Sequence, residues 1–206
     1  TEDGVVHVAG AVELLHTFAL LHDDVMDRSQ HRRGLPAAHR RFAATHREQL
    51  DLGDSDWFGY SAAILAGDLA HVWADELFES APVERDALDR ARVVYNHLRT
   101  EVIAGQYLDL RLAAAAAAQP DDARLVALLK SARYTVTRPL LLGAALAGHL
   151  ADPALLRSLS AYGDAVGLAF QLRDDVLGLF GDPGLTGKSD LDDLREGKRT
   201  MLVLRA

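Results

Sequence analysis

Two apolar, helix-patterned segments of this chain each run straight into a pair of adjacent aspartates, and few folds accommodate that twice. The first runs Phe18-Ala19-Leu20-Leu21-His22-Asp23-Asp24-Val25-Met26-Asp27-Arg28 and continues to Arg32-Arg33-Gly34. The second runs from Ala165 to Phe170 and then Gln171-Leu172-Arg173-Asp174-Asp175, with Lys188 and Lys198 downstream. Asp23 and Asp27 are four apart, so on a helix they share a face. Asp24 stands about 100° round from Asp23. Near a helix C-terminus the backbone dipole disfavours each negative charge by a few tenths to ~1 kcal/mol, and the carboxylates also repel one another. A cation among them relieves both effects, and nearby Arg and Lys suit a second, anionic guest. Magnesium takes hard oxygen ligands, keeps water and shares phosphate oxygens. The pattern therefore reads as a magnesium–diphosphate site. Either cluster alone also reads as a solvated acidic helix end neutralised by arginines. The second is the weaker of the two, because Gly178 stands where an acid at i+4 from Asp174 would be.

Helical periodicity governs the rest, and no convincing alternating strand is present. Val8, Ala11, Leu15, Phe18, Val25 and Met26 mark a first helix over Val5 to Asp27, which Gly34-Leu35-Pro36 ends. A second spans about Trp57 to Ser80. A third opens at Pro82-Val83-Glu84-Arg85 and continues through Gln106-Tyr107-Leu108-Asp109 into the alanine run Ala113 to Ala118. Gln119-Pro120-Asp121-Asp122 is a break and restart with acids suited to a helix N-terminus. The next helix reaches about Leu150, with a kink expected at Pro139. Asp152-Pro153 caps a last one reaching Phe180, before the turn chemistry of Gly181-Asp182-Pro183-Gly184. The expectation is a single all-α domain over residues 1–206. Because the periodic pattern is cut at both ends, that domain is expected to lack N-terminal and C-terminal segments.

Composition narrows the function. A chain of 206 residues, 49% hydrophobic, can bury a core. Its net charge of −8 argues against nucleic acid as a partner. Without cysteine there are no disulfides, thiolate metal sites or cysteine nucleophiles, a usage that fits a reducing cytoplasm. No apolar run is read as long enough to cross a bilayer, so no transmembrane segment is expected. The nine histidines show no metal-ligand spacing, and His16 and His22 read as packing residues.

Leu21 to Gly34, reading LHDDVMDRSQHRRG, resembles the first aspartate-rich motif of the trans-isoprenyl diphosphate synthases, the polyprenyl synthetase family. Phe170 to Asp175, FQLRDD, resembles the second, followed by Gly187-Lys188 and Gly197-Lys198-Arg199-Thr200. Gly105-Gln106-Tyr107-Leu108-Asp109 and Lys130-Ser131-Ala132-Arg133-Tyr134 fall where the family has comparable segments. A lone DDxxD is weak, whereas five matches in order are specific.

The resemblance implies the isoprenoid synthase fold, a bundle of long helices around a central apolar cavity, usually as a homodimer. The implied reaction is Mg-assisted condensation of an allylic prenyl diphosphate with isopentenyl diphosphate, through a carbocation. Two or three magnesium ions are implied, held by Asp23 and Asp27 on one side and Asp174 on the other, with Asp24 and Asp175 assisting. Arg32, Lys130, Lys188 and Lys198 would hold the allylic diphosphate, with Ser131 and Gln171 hydrogen-bonding nearby and Gln106 on the cavity wall. Arg33 would reach isopentenyl diphosphate. Asp109 and Glu101 read as polar wall or helix pairs and are left outside the site. An upstream Gly-Lys-x-Arg-type segment that binds isopentenyl diphosphate in the family is absent from these residues.

The family also implies that residues four and five before the first aspartate, Ala19 and Phe18, floor the cavity. Phe18 lies about 7–8 Å down the helix axis from Asp23, and no two-residue insertion interrupts Asp23 to Asp27. That combination resembles geranylgeranyl diphosphate synthases. The rivals are a class I terpene cyclase, disfavoured by Asp174-Asp175 where an Asn/Asp-Ser/Thr-Glu motif is usual, a non-catalytic partner subunit of a heteromeric synthase, disfavoured because both acidic motifs survive, and a plain helical interaction protein, which leaves the ordered lysines unexplained.

Overall fold

The fold follows from which helices the sequence lets approach closely. A computed structural model describes residues 2–181 and 197–205. Its regular secondary structure is helical apart from one short hairpin, and it groups into two compact units. His7–Ser80 forms one, and Ala81–Phe180 forms the other together with residues 2–6 and 197–205.

The first unit is built on two antiparallel helices, α1 (Glu2–Met26) from His7 onward and α3 (Ser55–Glu79). Their register is set by close approach. A Cβ on Gly10 would lie 2.9 Å from Leu77, and one on Gly67 only 2.3 Å from the His22 ring. Gly67 is therefore the socket for an imidazole. Asp54 caps α3, its Oδ1 accepting from the amides of Asp56 at 2.9 Å and Trp57 at 3.1 Å.

Two elements of this unit were not expected from the sequence. Helix α2 (Ala38–Glu48) buries His39, Ala43 and His46, and at Gly59 it packs on α3 so tightly that a Cβ would sit 2.2 Å from the His39 carbonyl oxygen. Before it, β1 (His31–Arg32) and β2 (Leu35–Pro36) pair antiparallel, so Gly34-Leu35-Pro36 turns the chain back instead of merely ending α1. The two loop residues, Arg33 (φ 53°) and Gly34 (φ 77°), both have positive φ, as a type I′ turn requires. The expectation about apolar runs is also corrected. By length and composition α1 is long and apolar enough to cross a bilayer, although Val8, Ala11 and Leu15 are buried in the protein. Reading for unbroken runs missed this, because Glu13 and His16 interrupt the pattern without lowering its average far.

The second unit contains α4 (Arg85–Ala114), α5 (Pro120–Val126), a π-helix (Ala127–Thr137), α6 (Arg138–Leu146) and α7 (Pro153–Phe180). Gln119 and Asp122 form a reciprocal cap at α5, and Asp152 Oδ1 accepts from the amides of Ala154 and Leu155 at 3.0 Å, as the two Pro-containing starts suggested. Gly148 (φ 81°) lets the chain leave α6. Met201 and Leu204 pack on Leu112, Ala123 and Val126.

Pro139 acts differently from the simple kink expected. It has no amide hydrogen, and its ring crowds the carbonyl of residue i−4. The turns before it widen into the π-helix, whose end is marked by the Arg138 amide reaching back five residues to the Arg133 carbonyl. This π-helix lies antiparallel between α4 and α7, against glycines. A Cβ on Gly105 would stand 2.4 Å from the Lys130 amide nitrogen, and one on Gly167 would stand 2.6 Å from the Ala132 Cα. Backbone cannot give way as a side chain can. Gly105→Ala is therefore expected to destabilise the protein by about 3 kcal/mol. The control Gly143→Ala, on an exposed face of α6 with nothing within 4 Å, should be neutral or stabilising by up to about 1 kcal/mol. Urea denaturation of both variants checks the contrast; equal stabilities would disprove the close-approach account.

Candidate active site

At the end of α1 the backbone places three carboxylates and then returns a cation to them. The Asp27 amide still donates to the Asp23 carbonyl at 2.8 Å. Arg28 then takes a left-handed conformation (φ 55°), the Ser29 amide donates to the Asp24 carbonyl at 3.0 Å, and the Arg28 amide donates to Val25 at 3.3 Å. This is a Schellman ending, with arginine where glycine is usual. The hairpin completes the reversal. Arg32 Nε donates to Asp24 Oδ1 at 3.0 Å, and Nη2 donates to the same oxygen at 2.5 Å and to Asp23 Oδ2 at 3.3 Å. Asp24 is only 3% exposed.

Burial opposes charge on the Arg32 guanidinium, but its bonds to Asp24 and the two carboxylate charges outweigh this and hold it more firmly protonated than usual. Arg33 is exposed. Around this cluster two imidazoles are biased toward the neutral form. Burial lowers His16, helped by Arg33 and Arg32, and burial lowers His39 despite the pull of Asp24. His39 is stacked on Tyr60 with ring centroids 4.8 Å apart.

In the second unit, α7 carries the other acidic pair. Asp175 is buried and accepts from Gln171 Nε2 at 2.8 Å, whereas Asp174 is exposed. The π-helix brings Lys130 Nζ to 2.5 Å from Asp109 Oδ2, with Ser131 and Gln106 half-buried. An ion network ties the same π-helix and the residue after it to α4 and α7. Arg133 Nη1 donates to Glu101 Oε1 at 3.0 Å, Arg138 Nε donates to Glu101 Oε2 at 2.7 Å, and Arg133 lies 3.5 Å from Asp164. Thr137 Oγ1 donates to Asp164 at 2.6 Å. Burial raises the Glu101 carboxyl, but Arg138 and Arg133 outweigh it and hold the group below its ordinary value.

Of the residues singled out from sequence, Asp23, Asp24 and Arg32 are brought into direct contact, with Asp27 one turn away. Gln171 and Asp175 meet on α7, and Lys198 is half-buried in the C-terminal segment. Lys188 lies outside the described residues. The contacts of Asp109 and Glu101, set aside as wall or helix pairs, were missed. Both acids contact the π-helix that carries Lys130. The only hint was the proximity of Asp109 to Gln106; Glu101 offered none, since its partners lie in other helices.

The family model Polyprenyl synthetase matches residues 1–206. This chain belongs to the polyprenyl synthetase family. It is 33% identical over its whole length to the geranylfarnesyl diphosphate synthase of Aeropyrum pernix, and 36% identical over 97% of its length to a geranylgeranyl diphosphate synthase of Mycobacterium tuberculosis. It covers 59% and 51% of those proteins, so it spans just over half the length of the curated relatives it matches. Among solved structures it resembles geranylgeranyl pyrophosphate synthase from Corynebacterium glutamicum, complexed with isoprenyl diphosphate and magnesium. The identity is 46% and the TM-score 0.94, covering 98% of this chain and 56% of that one. The all-α isoprenoid synthase fold expected from the motifs is the observed one.

The side chains present suit magnesium. Asp23, Asp24 and Asp27 supply only hard oxygen donors, the ligand type magnesium takes, although among the described residues no three His, Asp or Glu are grouped so as to hold an ion by themselves.

The Glu101 network has a pH signature. A carboxyl held below its ordinary value of 4.5 stabilises the fold fully above that pH. The contribution is lost as pH falls through the lower native value. Glu101→Gln should lower the Tm by several degrees at neutral pH, and this difference should shrink on acidification. Thermal melts from pH 7 to pH 3 check this, and a Tm difference independent of pH would contradict it.

Proposed function

We propose that the protein is a prenyltransferase that condenses an allylic prenyl diphosphate with isopentenyl diphosphate, making geranylgeranyl diphosphate with magnesium. The observation that carries the reading is Arg32 lying across Asp23 and Asp24. A cluster that recruits a guanidinium is dense enough in negative charge to need a counter-cation, and an arginine beside it can also bind phosphate bidentately.

In this reading Asp23 and Asp27, with Asp174, hold the ions, and Asp24 and Asp175 support them by anchoring Arg32 and Gln171. Bound magnesium would neutralise the diphosphate and polarise it as a leaving group. Arg32, Lys130, Lys188 and Lys198 bind the allylic diphosphate oxygens, Lys130 aimed by Asp109, while Ser131 and Gln171 donate hydrogen bonds and Gln106 lines the wall of a central apolar cavity. Arg33, exposed on the hairpin turn, takes isopentenyl diphosphate. Phe18, five residues before Asp23, stops the growing chain. Residues 1–206 act as one domain of a cytoplasmic homodimer, a localisation that the lack of cysteine supports.

The intact protein with magnesium should convert farnesyl and isopentenyl diphosphates into a twenty-carbon diphosphate, and chelation of the metal should abolish turnover. Asp23→Asn should lower kcat about 10²–10³-fold, on the scale of losing one charge-stabilising group. Radiolabel incorporation with mass analysis of the products decides it; a cyclic hydrocarbon, or no condensation with any allylic primer, rejects the synthase. Phe18→Ala should lengthen the product by at least one five-carbon unit, and an unchanged distribution would reduce Phe18 to packing.

A further inference from the structure

Nothing in the proposed reaction uses Glu101, yet both of its carboxylate oxygens are engaged. Oε1 accepts from Arg133 Nη1 at 3.0 Å and from Arg138 Nη2 at 2.6 Å, and Oε2 accepts from Arg138 Nε at 2.7 Å. The Arg138 contact is a two-bond fork, the geometry that fixes a guanidinium most firmly. One carboxylate on α4 thus holds two arginines that lie five residues apart in the chain.

That spacing is the signature of the winding. The Arg138 amide donates to the Arg133 carbonyl, and a bond spanning five residues stacks its two ends along the axis. On an ordinary α-helix the same two side chains would leave the axis about 140° apart, and one carboxylate could not easily take both. Gly105 and Gly167 make room for the π-helix, but room does not select a winding; a ligand shared by both ends of a π bond does. Without the carboxylate, the two like-charged guanidiniums repel each other and favour a winding that separates them.

We infer that Glu101 is a positioning residue for the proposed reaction, holding through Arg133 and Arg138 the π winding that presents Lys130 to the allylic diphosphate. The inference rests on Lys130 binding that diphosphate, as proposed above. Glu101 touches no substrate; it acts through the two arginines and the backbone between them. Lys130 lies three residues before Arg133, and its Nζ is 2.5 Å from Asp109 Oδ2. Asp109 stands about two turns further along α4 than Glu101, so the helix that fixes the winding also receives the ammonium. Relaxation to α-helix would turn Lys130 about the axis and part it from Asp109.

The test is steady-state kinetics of the intact protein, Glu101→Gln, Lys130→Ala and the double variant, with magnesium and each diphosphate varied in turn, below every variant's melting transition. Glu101→Gln should raise KM for farnesyl diphosphate about 10–10²-fold, the scale of a misplacement of about 1 Å, and leave KM for isopentenyl diphosphate unchanged. A merely structural role would lower the folded fraction, hence kcat, and move neither KM. The double variant should match Lys130→Ala alone, since both changes remove one contact. Arg138→Gln opens the clamp from its other side and should give the same split, so that a folding failure in one variant leaves another to read. If Lys130→Ala raises KM for farnesyl diphosphate while Glu101→Gln and Arg138→Gln do not, or if the double variant shows the two effects multiplied, the inference is overturned and the lysine's role stands. If Lys130→Ala leaves that KM unchanged, the lysine's role falls, and the inference with it.

Discussion

The crowding of carboxylates at the end of α1 is the constraint on which the first unit turns. Asp23, Asp24 and Asp27 sit where the helix dipole and their mutual repulsion both disfavour them. The chain meets that cost with local devices. The left-handed Arg28 ends the helix at once, the type I′ turn at Arg33-Gly34 sends the backbone back, and Arg32 arrives across Asp23 and Asp24. Positive φ at two arginines is itself costly, of order 1 kcal/mol each. A sequence needing only a helix end would place glycine there. Arginine at the turn keeps basic side chains at the helix mouth, as a site for an anion bridged by metal would need.

The second unit solves a related problem by packing. Lys130 stands on a π-helix, a rare winding that is easily lost to ordinary α-helix. Three features hold it. Pro139 denies the α-helical bond at its end, Gly105 and Gly167 let neighbouring backbones approach where no Cβ fits, and Glu101 and Asp164 bind Arg133, Arg138 and Thr137 from the flanking helices. Ion pairs that are partly buried carry a desolvation cost, so this network is better understood as fixing register than as a large source of stability. Register is what a lysine needs if its ammonium is to reach phosphate oxygens from a helix side.

Legibility from sequence followed the kind of signal each element carries. Helices α1, α3, α4 and α7 were visible because long apolar faces repeat at helical spacing, and both acidic motifs because like charges rarely cluster without a partner. Helix α2 escaped notice because His39, Arg40, Arg41, His46 and Arg47 make it polar on average; its small buried face is His39, Ala43 and His46. The hairpin escaped because two-residue strands show no alternation, leaving only the positive φ of Arg33-Gly34 to betray it. The π-helix differs from an α-helix by one residue per turn, too little for apolar spacing to reveal over so short a stretch. Arg32 was legible as a partner of the acids through charge alone. Glu101 with Arg138 was not, because contacts between helices depend on an interhelical register that no local pattern encodes.

That register also explains why chemistry and product length would be coupled in one helix. With about 1.5 Å rise per residue, α1 would work in the proposed reaction as a ruler whose zero is Asp23 and whose stop is Phe18. Such a ruler is useful only if α1 cannot slide or turn. The His22 ring seated over Gly67, directly before Asp23 in the chain, fixes both. An added methyl at Gly67 would displace the imidazole, and with it the helix that carries the acids and the ring together. A glycine with no chemistry of its own thus sets the scale on which the proposed reaction counts carbons.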